Sequence, residues 1–122
     1  KGVFADCPFN SPKDIIKHVC RKIDLNPDLC WPLIWLSALI FGHFNVSKTT
    51  AAEEVKKTTT PVMVIHGEAD DFVPTYMSRE IQSANPDMVE LHTFPEADHG
   101  LSYLYDTERY QALVKDFIRK TS

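Results

Sequence analysis

The hydrophobic positions switch period along the chain, and the switches predict its elements. Gly2 to Ala5 is a short apolar run broken by Asp6-Cys7-Pro8, the pattern of a buried strand running out into a loop. Ser11-Pro12-Lys13-Asp14 comes next. Ser caps a helix, Pro suits its first position and Asp suits its first turn. Ile15, Ile16, Val19 and Ile23 then fall near one face, which predicts a helix over 12–23. Asn26-Pro27-Asp28 repeats the start signal, and a second helix is expected from Pro27 to Phe41, stopping near Gly42. Its apolar residues run most of the way round, so it needs cover on several sides. Ser47 is the expected cap of a third helix through Ala51, Ala52, Val55 and Lys57.

Beyond Thr58-Thr59-Thr60-Pro61 the pattern changes. Val62-Met63-Val64-Ile65 is a continuous β-favouring run ending at His66-Gly67, as in a parallel strand covered on both faces. Residues 75–84 read as a helix through Met77 and Ile81. Residues 88–94 alternate, with Val89, Leu91 and Thr93 against Glu90, His92 and Phe94, as in a strand. Asp106 caps a last helix with a stripe of Tyr110, Leu113, Val114, Phe117 and Ile118. The order β-α-β-α implies an α/β fold with a partial parallel sheet, helices packed on it and a helical insertion. Three segments are expected: a core strand in 1–10, a helical lid or cap in 11–57, and an α/β core in 58–122.

Composition narrows the function classes. A net charge of −4 argues against a nucleic-acid partner, which selects a basic field. Residues 29–47 carry no charge, but Pro32, Ser37, Gly42, His43, Asn45 and Ser47 dilute them, so no membrane span is expected. Three cysteines, Cys7, Cys20 and Cys30, make neither a disulfide framework nor a zinc spacing. They read as buried free thiols of a reducing, cytoplasmic compartment. Cys7, just past a strand, is the one alternative candidate for a catalytic thiol.

Candidate chemistry gathers where parallel α/β sheets place it, in loops past the carboxyl ends of strands. One loop is His66-Gly67-Glu68-Ala69-Asp70-Asp71-Phe72-Val73-Pro74, and the other is Phe94-Pro95-Glu96-Ala97-Asp98-His99-Gly100. A single crossover helix separates them, so they can lie side by side. Gly-x-x-Asp-x-x-Val-Pro after a strand, succeeded by a strand and a small-x-His-Gly turn, resembles the end of α/β-hydrolases of the serine esterase and lipase kind. Gly2 to Asp6 is similar to the strand after that family's nucleophile helix. The resemblance implies a catalytic triad in the chain order Ser, acid, His, with Asp70 as the acid and His99 as the base. An imidazole suits a general base, and a carboxylate orients it. Asp71 is the rival acid, since spacing alone does not separate neighbours. His66 is expected to support the strand end. His92, His18 and His43 are assigned no chemistry, and Asp98 and Glu96 read as solvated loop carboxylates. No metal or other cofactor is expected.

The chain departs from the family pattern at the nucleophile. None of Gly2, Gly42, Gly67 and Gly100 belongs to Gly-x-Ser-x-Gly, so neither the nucleophile elbow nor its oxyanion hole is encoded here. The resemblance therefore implies a C-terminal piece of a hydrolase that cleaves a small carboxylic ester or related acyl substrate. Trp31, Trp35, Phe41 and Phe44 are the expected apolar pocket residues. The alternatives are a serine peptidase of the prolyl-oligopeptidase kind and a non-catalytic hydrolase-like binding module. An opening strand without its neighbour predicts self-association through the sheet edge.

Overall fold

The computed structural model describes residues 1–122. Three strands, β1 (Val3–Asp6), β2 (Val62–Gly67) and β3 (Val89–Phe94), form one parallel sheet in the order β1-β2-β3. Val62 stands beside both Val3 and Val89, and Ile65 beside both Asp6 and His92. All three strands therefore end on the same side of the molecule. Six helices complete the chain: α1 (Pro12–Lys22), α2 (Pro27–Ile40), α3 (Ala51–Val55), α4 (Tyr76–Ala84), α5 (Ser102–Tyr105) and α6 (Thr107–Thr121). No helix is long and apolar enough to cross a membrane.

Central strand β2 is buried along its whole length, as its unbroken apolar run requires. Its alternating side chains feed two clusters. Met63 and Ile65 pack with Phe94, Ala97 and Phe117, against the stripe of α6 formed by Tyr110, Leu113 and Val114. Val62 and Val64 pack on the other face with Val89 and Ile81, edged by Ala51 and Val55. Helix α6 thus covers one face, and α3 and α4 the other. His66 shares the parity of Val62 and Val64, which turns it toward α4.

The helix starts obey the sequence signals. Ser11 caps α1 through its hydroxyl, and Asn26 caps α2. The third start differs from expectation. Thr50, not Ser47, caps α3, through a reciprocal capping box with Glu53. The short α5 carries no sequence signal of its own, and no side chain caps it.

Helix α1 is the bridge to the acid loop. Ile15 packs with Val73 and Met77, while His18 and Lys22 reach the carbonyl oxygen of Asp71. Helix α2 packs on α1, yet none of its residues is buried. Strand β1 stands at the sheet edge, with Val3 and Phe4 nearly half exposed.

Candidate active site

The site forms where the loops after β1, β2 and β3 meet. Gly67 permits the meeting. A Cβ there would lie 2.1 Å from the carbonyl oxygen of Ala97, which no side chain tolerates. At this close approach Glu68 N–H donates to Phe94 O at 2.8 Å, and Ala69 N–H to Ala97 O at 3.1 Å. The acid loop and the histidine loop are thereby fastened to each other. A third fastening comes from Gly100, which sits at φ +68° and donates its N–H to Cys7 Sγ at 3.3 Å.

Asp70 and His99 come together across this junction. His99 Nδ1 lies 2.8 Å from Asp70 Oδ2. A carboxylate only accepts, so Nδ1 carries the proton and Nε2 presents its lone pair. Nε2 makes no hydrogen bond within the chain. The Asp70 side chain is fully buried, whereas that of His99 is 42% exposed. The ring rests against Phe72, centroid to centroid 5.1 Å. An anchored Nδ1–H and a reachable Nε2 are what a general base requires.

Asp70 stays ionised in its buried place. Burial pushes its carboxyl upward, but the N–H of Val73 and the His99 imidazole outweigh that and hold it below the usual carboxylate range. Oδ1 accepts from Phe72 N–H at 3.0 Å and Val73 N–H at 2.8 Å. Oδ2 accepts from His99 and also lies 3.2 Å from His66 Nε2. The neighbour Asp71 points away, ion-paired to Lys22 at 2.7 Å and well exposed. Of the two neighbouring carboxylates, Asp70 is the one that meets His99.

The other chemistry-bearing residues lie outside this pair. Asp98 accepts from the backbone N–H of His99 at 2.7 Å, and Glu96 lies at the limit of reach of the Tyr105 hydroxyl. His92 is 3.7 Å from Glu90 on β3. Cys7 is not a nucleophile. Its thiol is buried, and burial is the main cause that pushes it up to about 12, against the opposing N–H groups of Gly100 and Gly67. It therefore remains a thiol at neutral pH. Its backbone takes φ +48°, a turn that no local sequence pattern announces.

Cys7, His66 and Asp70 bring three metal-type donor atoms within 4.8 Å of one another. Both ring nitrogens of His66 are already engaged, Nε2 with Val73 O at 2.8 Å and Nδ1 with Ser78 Oγ at 2.5 Å. A ring whose Nε2 must carry a proton for a carbonyl offers no lone pair there. The cluster is a hydrogen-bonded support, and it does not fit a metal.

The four expected pocket aromatics do not line one cavity. Phe41 and Phe44 are exposed, Trp35 donates to Asn45 at 3.1 Å, and Lys13 stands over Trp31 at 6.0 Å. An all-apolar groove of about 500 Å³ lies instead between α1 and α2, lined by Ile15, Val19, Cys20, Cys30, Leu33 and Ile34 among others. Its signal in the sequence was the apolar face of α1 facing the apolar α2.

Comparison with known proteins agrees with this architecture. Residues 40–122 match the prolyl oligopeptidase family. The uncharacterized protein YqkD of Bacillus subtilis (strain 168) is 22% identical over 117 residues, 93% of this chain and 38% of that protein. An α/β-hydrolase enzyme, MGS-MChE2, from the metagenome of lagoon sediments at Mar Chica, Morocco, superposes with a TM-score of 0.51 at 17% identity. That match covers 88% of this chain and 43% of the other. The acylaminoacyl peptidase of Pyrococcus horikoshii superposes with a TM-score of 0.63, also at 17% identity, over 97% of this chain and 19% of that one. The chain thus spans less than half the length of each of these proteins.

Proposed function

The chain belongs to the prolyl oligopeptidase family, with an α/β-hydrolase fold, and we propose that Asp70 and His99 are the acid and base of its catalytic triad. The observation that carries this reading is the 2.8 Å bond between buried Asp70 Oδ2 and His99 Nδ1, with Nε2 left unbonded on a half-exposed ring. In the proposed reaction a serine hydroxyl supplied from outside residues 1–122 gives its proton to His99 Nε2 as its oxygen attacks an acyl carbon. Asp70 holds the ring and steadies the imidazolium. His99 then returns the proton to the leaving group, and water repeats the sequence to release the acid.

The proposed substrate class is a small carboxylic ester or related acyl compound. Support comes from the apolar groove beside the acid loop, tied to it by the packing of Ile15 on Val73. In this reading residues 11–57 act as the lid, with Leu33 and Ile34 of α2 supplying its apolar wall. A peptide or acylated amino-acid substrate is the second reading, and the family match favours it. One experiment tests both. The full-length protein carrying this chain is assayed on short p-nitrophenyl esters and on acylaminoacyl p-nitroanilides, alone and as His99→Ala. Turnover of one series, abolished by the substitution, is expected. Turnover unchanged in the variant would sink the assignment.

A further inference from the structure

We propose that His66 is a positioning residue for the acid, donating from Nε2 to the same Asp70 oxygen that accepts from His99. This rests on the reading of Asp70 and His99 as an acid–base pair and extends it by one residue. His66 Nε2 lies 2.8 Å from Val73 O and 3.2 Å from Asp70 Oδ2. A carbonyl oxygen cannot donate, so the proton sits on Nε2 and is bonded to Val73 O, with Asp70 Oδ2 close beside it. On the opposite side of the ring, Nδ1 lies 2.5 Å from Ser78 Oγ. In the neutral ring Nδ1 accepts, and the Ser78 hydroxyl gives it its single proton. Proton donation therefore starts at the buried Ser78 on α4, passes to His66 on β2, and points its far N–H toward Val73 O and the Asp70 carboxylate.

His66 and Ser78 are fully buried, and so is the Asp70 side chain. A histidine that only closed the strand end would need Val73 O and nothing more. Three N–H groups hydrogen-bond the carboxylate, two on Oδ1 and that of His99 on Oδ2, and His66 Nε2 stands 3.2 Å from Oδ2 beside them. Without it, the Oδ2 side of the carboxylate depends on the half-exposed His99 ring and the Cys7 thiol, while Phe72 and Val73 hold only Oδ1. Fixed geometry at the acid is what keeps the base in its productive tautomer and plane.

The charged and titratable surroundings are few. From the end of β1 come Cys7 and, hydrogen-bonded to it, Asp6. From the loop after β3 come His99 and Asp98. Helix α4 offers only the neutral Ser78 hydroxyl, and His18 and Lys22 of α1 reach Asp71 rather than Asp70.

The test monitors the Asp70 carboxyl carbon by NMR titration in the 122-residue chain, for the wild type and for His66→Gln, His66→Asn and His66→Phe. Gln places an amide N–H near the position of Nε2, whereas Asn reaches only the Ser78 side and Phe donates nothing. Asp70 is expected to titrate as in the wild type in His66→Gln and distinctly higher in His66→Asn and His66→Phe. Should the Phe variant not fold, the comparison of Gln with Asn decides alone. Equal Asp70 titration in all variants, or an equal rise in Gln and Asn, would overturn the proposal. In the full-length protein, kcat should fall about tenfold in the Asn variant at unchanged KM and recover in Gln, a size typical of lost supporting hydrogen bonds. A shifted titration with no hydrolytic activity in any form would leave the role of His66 standing and remove the triad reading.

Discussion

Replacing Asp70 with Asn removes a charge while keeping the shape of the side chain. Oδ1 keeps its two bonds from Phe72 and Val73, now as neutral hydrogen bonds. The amide nitrogen then takes the place of Oδ2 and faces two imidazole nitrogens. His66 must keep its Nε2 proton for Val73 O, so one donor is turned on another. The amide can donate to His99 Nδ1 only if that ring moves its proton to Nε2, which is the wrong tautomer for a base. Hydrogen bonds to a charged partner contribute about 1.5–3 kcal/mol each and neutral ones about 1. With two bonds weakened and one opposed, and the desolvation of the carboxylate relieved in return, the net loss is about 2–4 kcal/mol. The pH dependence fixes the sign. The folded-state carboxyl titrates below its ordinary value, so the lead of the wild type is complete above the unfolded carboxyl's pKa of about 3.9. It is lost as the pH falls through the folded value. Urea unfolding of both proteins at pH 7 and again in acid measures this directly. A gap that persists undiminished in acid, or no gap at pH 7, would refute the reasoning.

Gly67→Ala should destabilise the chain by about 1–3 kcal/mol or more, because its Cβ meets backbone rather than a movable side chain; denaturant midpoints measure it. Phe94→Ala, at a fully buried site among Met63, Ile65 and Phe117, should cost about 3–5 kcal/mol by the same assay. The exposed edge of β1 and the unburied α2 predict a sedimentation coefficient for the 122-residue chain that rises with concentration. A monomer at all concentrations would argue against that interface.

Much of the fold is legible in the sequence because each element carries a local signal. The run from Val62 to Ile65 and the stripe of α6 are set by periodicity alone. The site was legible as two loops, since strand ends in a parallel sheet mark it. What the sequence withheld was long-range. Nothing local distinguishes Asp70 from Asp71; the choice is made by where β3 delivers His99, 29 residues on. His66 reads only as a strand-end support, because its approach to Asp70 Oδ2 depends on how the acid loop folds back. The turn at Cys7 and its bond to Gly100, 93 residues away, exist only once the sheet is assembled. The aromatic residues of α2 read as a wall because they are large and apolar, while the packing of α2 on α1 places Leu33 and Ile34 in the groove.

One pairing is central to the proposed chemistry, in which Asp70 readies His99 to activate a serine. Treatment of the full-length protein with a fluorophosphonate, read out by mass spectrometry and repeated for His99→Ala, tests that pairing most directly. One serine outside residues 1–122 should be modified, at a rate that falls by about 10³ or more when His99 is removed. Labelling of no serine, or a rate indifferent to His99, would contradict it.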